Sequence, residues 1–600
     1  MLGRTDSRLR LVLLLVVVVG FGGVLGLRLA YWQIGQAGDL RRLADAQLHE
    51  PLDAEIRRGD ITDRRGNLLA TTAYRDLLAA HPDLIRAEHR ADQARRLAGV
   101  LELDAEQEAH LIERYEAGVP YFIVARRLGE QQSRLVRELI ASGELAALTL
   151  EPRPARFYPN TGGAPDTTLA SQLLGFVTDD GQGQYGIEQR HQQLLAGRAG
   201  PIASVDDDVA GTVTGGSLQL TIDASLQLRV EKELYAAWVA NRAERASAVV
   251  MDPYTGAILA WASVPGYDAN AYGAVASKSP ERFVDPLASQ VYEPGSVMKM
   301  LTAAAALERG VVTLDSTVRD GARLRFGQTV ISNFDQRSMG RMTFADVIAQ
   351  SRNVGTGRVA MRLGETTDES AAVLYEMWLR LGLGQRTGVE TASEAAGLVA
   401  DPAARPWHDV DLVNRAFGQG VAVTPLQLAA AFGAMVNGGW LPHPHVVAAE
   451  NDAPTPVAAA VPVFAPALSD ELRDLMVHVV ASVPHYAETT LIPNYVVGGK
   501  TGTAQIWDAA RGAWKEHSYN HTFAGFVGGE QPAAVIIVRI HDAEPTVKRR
   551  FGYILALTSN EVFRRVAQDV IEVLDLPPLQ QPAPVSTPPL DLGSVAGDEP

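Results

Sequence analysis

The 600-residue chain contains no cysteine. Disulfides, thiolate zinc sites and cysteine-ligated iron–sulfur clusters are therefore excluded. Lysine is nearly absent too. Of 54 basic residues only six are lysines: Lys232, Lys278, Lys299, Lys500, Lys515 and Lys548. Arginine supplies positive charge almost everywhere else, so a position that keeps lysine needs something arginine cannot do. A buried lysine can lose its proton and act as a base, whereas arginine stays protonated. Plain surface solvation accounts for Lys232, Lys278 and Lys548. A basic excess is also missing: the net charge of −16 argues against a nucleic-acid partner, which wants a basic face.

One long uncharged run stands out. Residues 11–27, LVLLLVVVVGFGGVLGL, are 17 residues without a charge. As a helix they cover roughly 25 Å, and Arg28 can snorkel to extend that toward a hydrocarbon thickness of ~30 Å. Arg4, Arg8 and Arg10 precede the run, which predicts a cytoplasmic N-terminus. Tyr31 and Trp32 fall at the far interface. A cleaved signal peptide is the competing reading, but it calls for an apolar region of ~7–15 residues and a small-residue cleavage site, and LRLAYWQ fits that poorly. The expectation is a cytoplasmic tail over 1–10, a single transmembrane helix over 11–30, and an extracytoplasmic remainder at the cell membrane.

At this length two or more domains are expected. Residues 31–50 read as a helical stalk. IRRGDITDRRGNLLATT punctuates short apolar segments with Gly59, Asp63 and Gly66, which predicts paired strands. Residues 84–150 carry helical periodicity, and GIEQRHQQLLAGRAG reads as one helix with a glycine stop. Together 31–215 form a non-catalytic pedestal. From Ser217 the texture changes. SLQLTIDASLQ predicts a strand, an Asp turn and a helix; ASAVVMDPYTGAILAWAS predicts a hairpin; NYVVGGKTGTAQIW and PAAVIIVRI predict strands; 559–575 predicts a terminal helix. Strands at both ends with helices between predict an α+β layer over 216–576, an antiparallel sheet covered by helices. The proline-rich tail, 577–600, is too polar to fold. No internal repeat is visible.

The stretch YEPGSVMKM raises a chemical question. Pro294 and Gly295 are loop punctuation, and an alanine-rich helix follows. Ser296 sits at the helix start and Lys299 one turn on, on the same face. A serine hydroxyl is a weak nucleophile until a neighbouring base takes its proton. An amine aimed at it, desolvated and near a helix N-terminus, has its pKa pushed down and can be that base. Elsewhere Ser-x-x-Lys is often only a cap and a surface charge; here it is the one such pair in the chain. Two further elements follow in order, Ser351-Arg352-Asn353 and Lys500-Thr501-Gly502-Thr503. GGKT also resembles the end of a phosphate-binding loop. That motif wants glycine at position 494, where Asn494 stands, and a helix afterwards, where a strand pattern follows. The nucleotide reading is rejected.

Each element has a chemical task. Ser351 can relay a proton to a leaving amine. Asn353 can position a substrate amide and Lys299. Lys500 supplies positive charge for a substrate carboxylate, to which Thr503 adds a hydroxyl. The N–H groups of Ser296 and Thr503 suit an oxyanion hole. Helix capping at Ser351 and Asn353, and strand propensity at Thr501 and Thr503, are the bland alternatives.

The trio in this order is the signature shared by penicillin-binding proteins and class A β-lactamases. Over residues 11–575 the chain resembles a class B penicillin-binding protein, with the division-type branch slightly favoured. RGDITDRRGNLLA, ARFYP through GQYGIEQRHQQLLAGRAG, and FGQGVAVTPLQLAAAFGAMVNGG carry the resemblance alongside the trio. It implies a membrane-anchored peptidoglycan D,D-transpeptidase with a dimerisation-type pedestal. The resemblance further implies that Ser296 is acylated by a D-Ala-D-Ala stem peptide, that a second stem peptide takes the acyl group, and that β-lactams occupy the same serine. No metal or cofactor is implied. No glycosyltransferase segment is found, so an integral-membrane glycan polymerase of the SEDS type is the expected partner. A penicillin-acylated sensor, a silent scaffold and a β-lactamase are the alternatives. Arg352 departs from the family, which usually has a small residue there; it is expected to face away from the cleft or to lie along the rim, paired to a surface carboxylate, the alternative being a charge close enough to Lys299 to lower its pKa. FGYILALTSNEVF departs from a more glycine- and proline-rich stretch.

Overall fold

The computed structural model describes residues 7–31, 57–197, 215–508, 510–544, 547–548 and 553–579. The chain divides into two units, residues 1–57 with 198–214 and residues 58–197 with 215–600. The first contains helix α1 (Ser7–Ala30). Its described side chains, at positions 12 and 14–28, are all exposed. Among the described residues no helix presents an apolar run long enough to cross a membrane; the described side chains cover only part of the 17-residue uncharged run. The stalk expected over 31–50 and nearly all of the tail expected over 577–600 lie outside the described residues.

In the second unit the RGDITDRRGNLLA stretch folds back on itself. Strand β1 (Ile61–Thr62) pairs with β2 (Leu68–Ala80). Asp63 shapes the turn by accepting the N–H groups of Arg65 and Asn67, each at 2.8 Å. Helices α2 (Ala87–Leu101), α3 (Ala105–Glu116) and α4 (Glu130–Ala141) bury Leu97, Leu111, Tyr115 and Val136 in a small core of their own. Between α3 and α4 lies strand β3 (Phe122–Leu128), which the helical reading of 84–150 does not contain. Its order comes from pairing with β2, a long-range contact that local periodicity does not report. Strand β4 (Leu148–Phe157) also pairs with β2. GIEQRHQQLLAG forms two short helices broken at His191, not one. Glu188 on the first is fully buried between two guanidiniums, Arg58 at 2.6 Å and Arg156 at 2.6 Å.

Strand β5 (Leu218–Leu220) pairs in parallel with β1 and antiparallel with residues 447–450. Pedestal strands and strands from beyond residue 215 thus share one sheet. Ile61, Leu69, Tyr158 and Phe176 join the same buried cluster as Trp261 and Leu301. A cut at residue 215 would open that cluster.

The remainder is built on helix α5 (Ala224–Asn241) and a hairpin of β6 (Arg245–Met251) and β7 (Ile258–Val264). Helices α6 (Lys299–Glu308), α7 (Phe344–Ala349), α8 (Asn353–Ala360), α9 (Pro425–Val436) and α10 (Pro466–Ser482) follow. Strands β8 (Val496–Asp508), β9 (Ala513–Gly528) and β10 (Pro532–His541) then complete an antiparallel sheet in the order β8–β9–β10–β6–β7. Helix α11 (Ser559–Val573) closes the unit. The near-continuous apolar run of β10 has a simple cause. Val535 and Ile537 enter the core beneath α6 and α9, while Ile536, Val538 and Ile540 enter the core beneath α5 and α11. A sheet covered on both faces needs apolar residues at successive positions. Strand β8 is an edge strand of this sheet.

Candidate active site

The site forms where the turn before α6, the link between α7 and α8, and the edge strand β8 meet. They line a cleft of about 540 Å³ that includes Ser296, Ser351, Arg352, Asn353, Thr501 and Thr503. Ser296 lies in a single 3₁₀ turn, Gly295–Met298, that leads into α6. The turn is held against the loop after Phe417: Gly295 has φ +58° and donates its N–H to the Gly418 carbonyl at 3.3 Å. Ser296 is half-buried. Its N–H falls in the first turn, where no intrahelical acceptor exists, which leaves it available to a developing oxyanion.

Lys299 follows in the alanine-rich wall of α6 and is fully buried. The i, i+3 spacing predicts an amine aimed at Ser296. Instead Nζ donates to three oxygens of the 351–353 segment: the Ser351 carbonyl at 2.5 Å, Ser351 Oγ at 3.1 Å and Asn353 Oδ1 at 2.8 Å. No hydrogen bond links Lys299 to Ser296 among the described residues. The reason is where acceptors lie: the left-handed turn at Ser351 and the start of α8 place three oxygens around Nζ.

Ser351 caps no regular element. It has φ +54°, in the left-handed region that a non-glycine residue rarely adopts. The kink ends α7 and lets α8 begin at Asn353, and it brings both the carbonyl and the hydroxyl of Ser351 onto Lys299. Such strain persists only where surrounding structure enforces it.

Lys500, fully buried, approaches the same hydroxyl from β8: Nζ donates to Ser351 Oγ at 3.1 Å and to the Thr501 carbonyl at 3.0 Å. Thr501 Oγ1 lies 2.9 Å from the Tyr486 hydroxyl, and Thr503 is exposed to the cleft. Gly502 is required by close approach. A Cβ there would lie 2.2 Å from the Pro294 carbonyl oxygen and 2.8 Å from Val297 Cγ2. Only glycine lets the strand press against the turn that carries Ser296.

The electrostatics follow from burial. Desolvation, then Lys500, then Arg352 drive the Lys299 amine well below the usual lysine range, with Asp320 opposing. Burial alone brings Lys500 down to about 7. Two amines sharing one hydroxyl cannot comfortably both be charged.

Arg352 is not at the rim. It is 5% exposed, bonded through Nε to the fully buried Asp320 at 2.8 Å and through Nη1 to Asp335 at 2.9 Å. Only Asp335 is partly open to solvent. Arg352 stays in the cleft wall, with its guanidinium turned inward onto the two carboxylates. Phe334, Asp335, Phe417, Gln419, Tyr486, Gln505 and Tyr519 also line the cleft, and the motifs did not mark them. Phe417 and Gln419 stand in the quoted FGQG stretch; Phe334 and Tyr486 carry no spacing signal at all.

Residues 246–567 match the family described as penicillin binding protein transpeptidase domain, and residues 54–219 match the penicillin-binding protein dimerisation domain. Penicillin-binding protein PbpB of Mycolicibacterium smegmatis is 28% identical, over 84% of this chain and 81% of its own. Stage V sporulation protein D of Bacillus subtilis is 29% identical, over 90% and 82%. Peptidoglycan D,D-transpeptidase FtsI of Escherichia coli is 27% identical, over 90% and 87%. Penicillin-binding protein 3 of Mycobacterium tuberculosis, solved with ampicillin, has the same fold: TM-score 0.67 at 24% identity, covering 88% of this chain and 98% of that one. The fold and the cleft thus define a transpeptidase of the penicillin-recognising class. The chain belongs to the penicillin-binding protein transpeptidase family.

Proposed function

We propose that this chain crosslinks peptidoglycan as a serine-type D,D-transpeptidase, with Ser296 as the acylated residue. The observation that carries the reading is the convergence of Lys299 and Lys500 on one hydroxyl, that of Ser351, beside Ser296 in one cleft. Neutral Lys299 takes the Ser296 proton as Oγ attacks the carbonyl carbon of the penultimate D-Ala. The N–H groups of Ser296 and Thr503 hold the oxyanion. The C–N bond then breaks, and the departing D-Ala amine gains its proton through Ser351. Lys500 and Thr503 hold the terminal carboxylate, and Asn353 orients the peptide amide. An amine of a second stem peptide attacks the acyl-enzyme, and Ser296 regains its proton as the new amide forms. A β-lactam follows the first half of this course and stays on the serine.

Intact mass after penicillin treatment tests the assignment. One adduct is expected on the wild type and none on Ser296→Ala; an adduct on the variant would overturn it. Adduct lifetime separates this reading from a β-lactamase, which releases its product quickly.

The anchor and the partner belong to the same reading. The uncharged run over 11–27 behind Arg4, Arg8 and Arg10 supports a single membrane span with the N-terminus in the cytoplasm. Fusion of a reporter to either terminus tests this orientation. Both domain matches concern crosslinking and dimerisation, which supports a separate glycan polymerase of the SEDS type as partner. Likeness to FtsI and to a sporulation protein favours a role in division. Affinity purification of the full chain from its own membranes should recover the polymerase; its absence would count against the partnership.

A further inference from the structure

Arg352 is the residue of the Ser351–Asn353 segment that the acyl-transfer chemistry leaves without a task. Its guanidinium is a junction. Besides its bonds to Asp320 and Asp335, Nη2 donates to the Arg337 carbonyl at 2.5 Å. Asp335 and Arg337 belong to the loop 333–339, which joins strand Thr329–Ser332 to strand Gly340–Thr343. The buried Asp320 carboxylate receives the rest of that loop: Asn333 Nδ2 donates to its two oxygens at 3.1 and 3.2 Å, and the Met339 N–H at 3.1 Å. The residues after Arg352 hold the start of the same loop. Asn353 Nδ2 donates to the carbonyl of Ser332, the strand residue just before it, at 3.0 Å, and the Val354 N–H to Asn333 Oδ1 at 3.0 Å. Three consecutive residues, 352 to 354, therefore fix the loop and the strand end that leads into it, with the buried ion pair at the centre.

What the loop presents is Phe334. Phe334 is 64% exposed as a residue, and it lines the cleft together with Ser296. A lone exposed ring on a surface is ordinary. A ring held beside a nucleophile by a buried ion pair is different, because removing Arg352 would strand the Asp320 charge and release the loop.

We propose that Arg352 is a positioning residue. It fixes the 333–339 loop so that Phe334 forms an apolar wall of the cleft, and that wall selects acyl donors carrying an apolar side chain beside the scissile amide. The proposal rests on Ser296 being the acylated residue.

The test compares second-order acylation rates of the full-length protein in detergent with two probes. Benzylpenicillin carries a phenylacetyl side chain; 6-acetamidopenicillanic acid keeps the same amide with only a methyl group beyond it. The wild type should favour benzylpenicillin. Phe334→Ala should lower that preference about tenfold. Arg352→Ser should lower it by a similar factor, with no further loss in the double variant, since both changes remove one wall. Arg352→Lys keeps the charge and one donor and should restore part of the preference. If Arg352→Ser does not fold, Asp335→Ala decides, because it removes the acceptor for Arg352 Nη1 while leaving Asp320 paired. A preference unchanged in Phe334→Ala overturns the proposal. So does an equal slowing of both probes in Arg352→Ser and Asp335→Ala, which is what a merely structural role predicts. If neither probe labels the wild type, the reading of Ser296 fails first and the wall with it. Labelling with an unmoved preference sinks the wall alone.

Discussion

Lys299 and Lys500 reach the same atom: each places Nζ 3.1 Å from Oγ of Ser351. A hydroxyl oxygen has two lone pairs, so it can accept from both amines and keep its own hydrogen for a third group. Ser351 is thus a bridge that can pass a proton between a lysine and the cleft without moving its oxygen. Burial lowers both amines, and Lys299 additionally faces the positive charges of Lys500 and Arg352.

The opposite protonation states asked of the two lysines predict a bell-shaped pH dependence for penicillin acylation. Attack needs Lys299 neutral, and carboxylate binding needs Lys500 charged. The second-order rate should climb with pH as Lys299 deprotonates and fall above about 7 as Lys500 does. The two limbs belong to the pair rather than to either residue alone. A bound carboxylate stabilises the Lys500 ammonium, so the falling limb at saturating penicillin should lie at higher pH. A rate that keeps rising through about pH 9 would refute the role given to Lys500.

Lys500 should also cost the fold stability while serving the site. Its amine titrates at about 7 in the folded protein against 10.5 when unperturbed. Between these values the unfolded chain holds a proton that the folded chain has released, so stability rises with pH across that window. Below it the full cost of burying the ammonium is present. Lys500→Met is therefore expected to abolish acylation yet stabilise the fold at pH 6 by about 1–3 kcal/mol, after allowing for the lost hydrogen bonds. The gain should shrink toward pH 10. Thermal melts at several pH values read this directly, and a destabilised variant at pH 6 would contradict it.

Lys299→Arg is expected to be nearly as damaging as Lys299→Ala. The guanidinium keeps the charge but not the ability to deprotonate, and a positioned base contributes roughly 10²–10⁴-fold. The pocket adds a second obstacle, since Nζ is already packed against three acceptors with no exposure. An arginine variant acylating within a few-fold of wild type would remove Lys299 as the base.

What could be read from the residues alone was the part that chemistry dictates. Lysine is so rare here that Lys299 and Lys500 announce themselves, and the strand pattern at 532–541 follows from a sheet buried on both faces. What escaped depends on partners far along the chain. Arg352 looked like a rim charge because Asp335 and Asp320, the carboxylates that bury it, stand 17 and 32 positions earlier. The Lys299 amine was expected on Ser296 because the two are near in sequence; the acceptors that hold it lie 52 and 54 positions on. Strand β3 was missed for the same reason, since β2 orders it.

Gly502 gives the sharpest steric forecast. Its Cα faces the Pro294 carbonyl so closely that an added methyl would sit 2.2 Å from a backbone oxygen, where no side chain can yield. Gly502→Ala must therefore push β8 away from the turn that carries Ser296. The sheet itself has room to accommodate the shift, because β8 is an edge strand paired on one side only. The cost should thus fall on chemistry more than on folding. A displacement of 1 Å in a positioned site costs on the order of 100-fold, since the N–H of Thr503 and the ammonium of Lys500 both ride on this strand. Gly502→Ala is expected to melt within a few degrees of wild type and to acylate at least about 100 times more slowly. Near-normal acylation would mean that β8 and the Ser296 turn do not need their close contact to form the oxyanion hole.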